Sequence, residues 1–227
     1  MTTVPGPATR SPKAEQTRRS ITEAAMRLFR ARGYDKTTMR AIADEAGVSL
    51  GNTYYYFASK EHLIQAFYDQ TQVRHAEAAA AALDGERAFA ARLRALFDAW
   101  VDVAAPYHEF AGQFFKNAAD PTSPLSPFSE ESAPARAASI ELYRRAVEGS
   151  DLKVTPALRR ELPELLWLLH MGVVLFWVYD ASPGQQRTRQ LVAGVVPLVG
   201  RLARLTRLPL VRGVVDDLLR LVASLRG

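Results

Sequence analysis

Apolar residues recur along this chain at helical spacing almost from its start. Ile21, Ala24, Ala25, Leu28 and Phe29 fall at i, i+3, i+4, i+7 and i+8, one apolar stripe on a helix, and Gly33 closes it. A second, short helix follows Thr38 as cap, with Ile42, Ala43 and Ala46 inward and Gly47 at its end. Ser49 caps a third over roughly Leu50 to Phe57, and Ser59 a fourth from Lys60 to about Ala82, where Asp84-Gly85 breaks the pattern. The fifth places Phe89, Leu93, Leu96, Phe97, Trp100 and Val101 on one face and stops at Pro106. A sixth is predicted over about Tyr107 to Asn117, and a Pro- and Ser-rich loop over 120–134. A seventh covers about Ala135 to Glu148. The eighth region starts at Thr155-Pro156, with a kink or fresh start at Pro163, and continues to Tyr179. A ninth helix, about Gln185 to Leu205, carries Pro197 as a kink, and a tenth spans about Leu210 to Ser224. No alternating strand pattern and no repeat is present, so the fold class is all-α.

The run Leu165 to Tyr179 is apolar nearly all round, which predicts a helix at the centre of the body. It is about five residues short of the roughly 20 that span a bilayer, so no membrane partner is expected. The first residues lack the apolar core of a secretion signal, and cysteine is absent from all 227 residues. Both features suit a cytoplasmic protein. They also exclude a disulfide frame and a thiol nucleophile.

Charge changes the picture. Residues 1–60 hold ten Lys/Arg against five acids, whereas the remainder holds 19 of each sign, so the whole net charge of +5 sits in the N-terminal quarter. A basic module on a neutral body suggests a polyanion partner, with a merely solvated charged surface as the alternative. Catalytic signatures are missing: there is no HExxH pair and no Gly-rich phosphate loop after a strand. His62, His75, His108 and His170 lack metal-ligand spacing, and His108-Glu109 is an isolated pair. No metal and no cofactor is called for.

The stretch Thr37 to Lys60 carries the function. Two short helices around a Gly-containing turn have the helix-turn-helix arrangement, and the second of them is poor core material. Gly51 lets the backbone approach another surface, Asn52 suits base edges or phosphates, and Tyr54 and Tyr55 can reach phosphates and thymine methyls. Four consecutive aromatics about 100° apart cannot all be core. Phe57 is expected inside, Tyr56 mixed, and Tyr54 and Tyr55 outside. Lys60 is placed to neutralise a phosphate. Thr38 and Ser49 serve either as simple caps or as part of a phosphate-binding helix start. Arg18 and Arg19 read mainly as solvated charge.

Residues 17–67 resemble the DNA-binding domain of the tetracycline-repressor-like (TetR) regulators. The matching residues are Leu28-Phe29, Gly33-Tyr34, Thr37-Thr38, Ile42-Ala43, Ala46-Gly47-Val48-Ser49, Gly51, Tyr54, Phe57, Lys60, Glu61 and Leu63. The resemblance implies a three-helix DNA-binding domain over 14–66 behind a flexible arm, 1–13. A fourth helix would join it to a ligand-binding and dimerisation domain, 67–227. It assigns phosphate contact to Thr38 and Lys60, the groove edge to Arg40, base reading to Leu50, Gly51 and Asn52, and the groove wall to Tyr54. The family often has His where this chain has Tyr56, and Leu50 suggests van der Waals readout.

The implied function is a one-component transcriptional regulator, a repressor that binds a palindromic DNA operator as a homodimer and releases it on binding a small hydrophobic effector. Candidate pocket liners are Phe97, Trp100, Tyr107, Phe110, Phe114, Trp167, His170 and Met171. Such rings are more often plain core, and a histidine within an apolar run, as at His170, is more often a satisfied core residue than a ligand or metal residue. Trp177 and Tyr179 could lie at a dimer contact. The alternatives are a constitutive DNA-binding protein with no effector pocket, or a helical enzyme.

Overall fold

The computed structural model describes residues 11–206, together with Gly213, Asp217 and Arg220. The expected arm and tenth helix therefore fall mostly outside the described residues, as do the side chains of Phe110 and Gln113. Every regular element described is helical, and the chain divides into two compact units, 1–68 and 69–227.

The first unit holds α1 (Pro12–Arg32), α2 (Met39–Ala46), α3 (Leu50–Tyr56) and the start of α4 (Lys60–Leu83). The α1 stripe is buried as its spacing demands: Ile21, Ala24, Ala25, Leu28 and Phe29 are all inside. Each fully buried side chain of leucine size or more contributes roughly 1.5–3 kcal/mol. Gly33 ends α1 at φ 81° and Gly47 ends α2 in the left-handed region at φ 68°, a conformation that glycine adopts without a Cβ clash. Ile42 and Ala43 are buried as expected, but Met39 takes the third inward place and Ala46 is only half-buried. Arg27 Nε meets Glu45 Oε1 at 3.0 Å, tying α1 to α2.

The second unit contains the rest of α4, α5 (Phe89–Ala104), a 3-10 turn (Ala105–Tyr107), α6 (His108–Ala118), α7 (Ala133–Glu148), α8 (Pro156–Val178) and α9 (Gln186–Leu205). Its main core joins Phe89, Leu93, Leu96 and Phe97 of α5 to Leu142, Tyr143, Ala146 and Val147 of α7 and Leu158, Leu162, Leu166 and Trp167 of α8.

Two expectations about α8 need correction. Pro163 neither ends nor restarts it: one helix of 23 residues runs through that position, with Pro163 buried. Proline removes a single N–H, so Arg159 loses one intrahelical donor while packing on both sides holds the helix together. The helix is thus long and apolar enough, by length and composition alone, to cross a membrane. Nor is α8 central. It buries Leu162, Leu166, Trp167, His170, Val173 and Trp177 but exposes Leu168, Gly172, Leu175 and Phe176. Pro197 likewise lies inside a continuous α9. The seventh helix begins two residues earlier than read, because Pro134 occupies its first turn, where the missing N–H costs nothing.

The body is latched by a residue the sequence reading passed over. Arg92 is buried on α5 and donates Nε to Ala146 O (2.9 Å), Nη1 to Leu83 O (2.8 Å) and Glu86 O (2.5 Å), and Nη2 to Arg145 O (2.8 Å). One guanidinium thereby reaches carbonyls at the C-terminal ends of both α4 and α7, where helix carbonyls run out of backbone donors, and shares Arg145 O with Gly149 N.

Candidate nucleic-acid interface and body cluster

Two caps set the helix-turn-helix. Thr38 Oγ1 accepts from Ala41 N at 3.2 Å and starts α2; Ser49 Oγ accepts from Asn52 N at 3.1 Å and starts α3. The capping role expected of both residues is therefore present, and both are exposed. α3 gives the interior only Thr53, whose Oγ1 donates to Ser49 O at 3.2 Å. Its remaining positions face outward or lie at the rim. Gly51, Tyr54 and Tyr55 are exposed, the tyrosines by 51% and 81%, while Leu50, Asn52 and Tyr56 are half-buried. Phe57 is buried. The four aromatics thus divide as their angular spacing requires. A Cβ built on Gly51 would meet nothing within 4 Å, so the fold leaves this position unfilled without needing the room. Arg40 is exposed on α2, beside the cap Thr38.

Lys60 is more tied down than a free phosphate ligand. Its Nζ donates to Tyr34 O at 2.8 Å and sits 4.1 Å from the Tyr34 ring centroid. Tyr34 Oη in turn donates to Glu61 Oε1 at 2.5 Å. Burial and then the Glu61 carboxylate push the Tyr34 phenol well above its ordinary range. For Glu61, the hydrogen bonds from Ser59 and Tyr34 outweigh burial and lower its carboxyl. An ammonium has three donors, so two remain for an external acceptor. Arg18, read as solvated, instead stacks its guanidinium 5.2 Å from the Phe57 ring centroid. Arg19 is exposed.

In the body, the structure brings together Phe97, Trp100 and His170 of the eight pocket candidates. His170 meets Trp100 at 4.9 Å, Phe97 at 5.8 Å and Tyr143 at 5.8 Å between ring centroids. Trp177 joins at 5.1 Å from Trp100, and His75 at 5.9 Å from His170. Trp177 is buried here, not at a surface contact; Tyr179 is exposed. Trp167 packs instead under Phe128, at 5.4 Å. Phe114 is buried on α6, Met171 is half-buried against the main core, and the Tyr107 hydroxyl accepts from Arg74 Nη1 at 3.1 Å. Two surface clefts, of about 620 and 480 Å³, are lined by other residues, among them Arg92, Arg145 and Gly149 in the first and Asp98 and Asp102 in the second.

The ring cluster is not a satisfied core. His75 Nδ1, His170 Nε2 and Trp177 Nε1 are buried without a hydrogen-bond partner among the described residues. Each such atom costs about 1–3 kcal/mol. Burial lowers the pKa of His75, and burial together with His75 lowers that of His170 further, so both rings are neutral at pH 7. Sequence reasoning missed His75 and Tyr143; their only signal was a polar ring on the apolar face of a helix. Among the described residues no three His, Cys, Asp or Glu side chains gather as a metal site.

Comparison with known proteins fits this geometry. Residues 21–67 match the family model of bacterial regulatory proteins of the tetR family, and residues 92–222 match that of the tetracyclin repressor-like C-terminal domain. The chain belongs to the TetR family of transcriptional regulators. Its N-terminal unit is 43% identical over 63 residues to the regulator TtgR of Pseudomonas putida, covering 28% of this chain and 30% of that protein. Over 47 residues it is 45% identical to the repressor KstR of Mycobacterium tuberculosis, covering 21% of each. The chain thus spans less than a third of the length of the curated relatives it matches.

Solved structures cover far more of the fold. A TetR regulator from Nitrosomonas europaea superposes with a TM-score of 0.61 at 21% identity, over 81% of this chain and 97% of that one. The TetR-family repressor FadR of Thermus thermophilus, solved with lauroyl-CoA, gives 0.59 at 24% identity, over 79% and 92%. At these identities the likeness establishes the fold. The TetR body of this chain is related to such structures in architecture, and its ring cluster has to be read from its own residues.

Proposed function

We propose that this chain is a cytoplasmic, homodimeric repressor that binds a palindromic operator through α3 and releases it on binding a small, largely hydrophobic effector in the 67–227 domain. The observation that carries this reading is α3 itself. A seven-residue helix that commits one side chain to its own core has little structural reason to present Gly51, Asn52, Tyr54 and Tyr55 outward. In this reading Leu50, Gly51 and Asn52 read bases. Thr38, Arg40, Ser49, Tyr54, Tyr55, Tyr56 and Lys60 hold the backbone.

A second copy of the chain supplies the partner. Two recognition helices must reach major grooves about 34 Å apart, which one copy cannot do. The surface that would join the copies is apolar. α8 exposes Leu168, Gly172, Leu175 and Phe176, and α9 exposes Gly194, Leu198, Leu202 and Leu205, each at i, i+4, i+7/8 spacing. Gly172 and Gly194 face open space, leaving room for a partner helix.

α4 offers a route from effector to DNA: one unbroken helix carries Lys60 in its first turn and His75 fifteen residues on. An effector favouring a conformation with misplaced recognition helices would supply the coupling free energy. A mobility shift of the full chain on genomic fragments tests the reading. Sequence-dependent complexes, two copies per site, are expected; uniform or absent binding would refute it. Persistent binding in the presence of every candidate ligand would favour the constitutive alternative.

A further inference from the structure

Two of the three unpaired atoms of the body cluster, on His75 and His170, define what could bind between them. His75 Nε2 lies 2.9 Å from the Leu96 carbonyl, and a carbonyl only accepts, so Nε2 carries the proton. In the neutral ring Nδ1 is then a bare acceptor. His170 Nδ1 lies 2.7 Å from the Tyr143 hydroxyl. That hydroxyl has no other partner among the described residues, so donating to Nδ1 pairs its proton and leaves His170 Nε2 as an N–H donor. The two rings are perpendicular, with centroids 5.9 Å apart, and their free nitrogens do not pair with each other. His75 and His170 are 0% and 2% exposed, which keeps bulk water away. Trp100, Phe97 and Trp177 wall the remainder with ring faces and edges.

An acceptor on His75 and a donor on His170, on perpendicular rings with centroids 5.9 Å apart in an aromatic shell, are complementary to a group that both gives and takes a hydrogen bond. Neither neutral ring supplies a formal charge for an anion. We infer that the body binds a small neutral aromatic ligand bearing a hydroxyl, a phenol in chemical class, whose O–H donates to His75 Nδ1 and whose oxygen accepts from His170 Nε2. This rests on the effector reading above and narrows it. A purely hydrocarbon ligand would leave both nitrogens unpaired, and a site built for a hydroxyl rejects the analogue lacking it. The side chains come from α4 and α8, with Tyr143 of α7 orienting His170, so entry of a ring would part α4 and α5 from α8.

Trp100 and Trp177, two of the three tryptophans, lie in the cluster, so their fluorescence reports occupancy directly on the full chain without DNA. Phenol and toluene are the probes. Phenol should perturb the emission and bind on the order of ten-fold or more tighter than toluene. Replacing His75 by Leu should abolish that preference, because the acceptor is gone, while leaving toluene binding intact or improved. His170→Phe provides the same comparison should the His75 variant fail to fold, and the phenol–toluene order in the unaltered protein is decisive by itself.

Toluene binding as tightly as phenol would overturn the proposal, because an apolar pocket prefers the hydrocarbon. So would the absence of saturable phenol binding at millimolar concentration, whether or not ordered water occupies the two nitrogens. Operator binding is measured separately. Phenol binding without release of DNA leaves the site standing and refutes its effector role; DNA binding without phenol binding does the reverse.

Discussion

Gly149→Ala should destabilise the body for a reason unrelated to backbone conformation. Gly149 has φ −76°, which any residue adopts. A Cβ there would stand 2.4 Å from Arg92 Nη2 and 2.8 Å from its Cζ. Relief to about 3.4 Å requires the guanidinium to move by about 1 Å, and its four hydrogen bonds to carbonyls of α4, α7 and the turn after α4 oppose that movement. The bond from Nη2 to Arg145 O is the one most directly displaced. Hydrogen bonds from charged donors contribute about 1.5–3 kcal/mol each, so one lost bond plus residual strain amounts to roughly 2–4 kcal/mol. All three tryptophans, Trp100, Trp167 and Trp177, belong to the second unit, so urea unfolding followed by their emission reads the body alone. Arg92→Leu should itself cost several kcal/mol by stranding buried carbonyls. In that background Gly149→Ala should become nearly neutral, because the clashing atoms are gone. A coupling near zero between the two substitutions, or a Gly149→Ala cost below about 0.5 kcal/mol, would refute the latch.

Other outcomes are equally specific. Gly51→Ala should leave stability unchanged or raised by up to about 1 kcal/mol, since a Cβ meets nothing, yet weaken operator binding. Equal stability and equal affinity, measured by thermal melting and mobility shift, would remove Gly51 from the interface. Lys60→Ala should flatten the salt dependence of DNA binding by about one unit and also cost about 1 kcal/mol of fold stability, because its bond to Tyr34 O is lost. An unchanged slope assigns Lys60 a structural role only. For Asp180, burial raises the carboxyl, but hydrogen bonds from Ser182 and Thr188 outweigh it and hold it at about 2. Its folded value lies below its unfolded one, so its stabilisation is complete above about pH 4 and disappears as pH falls towards 2. Asp180→Asn should remove that component from a pH series of unfolding midpoints.

Much of the DNA-binding unit was legible because its determinants are local. Thr38, Ser49, Gly33 and Gly47 mark helix ends within a few residues of the chain they terminate. The 100° step between Tyr54, Tyr55, Tyr56 and Phe57 fixed which could be buried. The body was legible only as elements. α8 reads as uniformly apolar, and nothing local distinguishes the face meeting α7 from the face left exposed at Leu168, Leu175 and Phe176. Pro163 signals a break that packing overrides. Arg92 and Ala146 are 54 residues apart, and Tyr143 and His170 are 27 apart. Such partnerships leave no trace in periodicity. A charged or polar residue on an apolar helix face, as at Arg92 and His75, is the available hint, and it identifies a question without naming the partner.

The central claim is that α3 reads DNA as one of a pair. Footprinting of the full chain on the DNA upstream of its own gene tests it most directly. Two protected half-sites related by a dyad and centred about 34 Å apart, or a whole number of helical turns apart, are expected. Asn52→Ala should lose on the order of 1–3 kcal/mol on that site but little on random duplex. Uniform protection, or an equal loss on both DNAs, would contradict it.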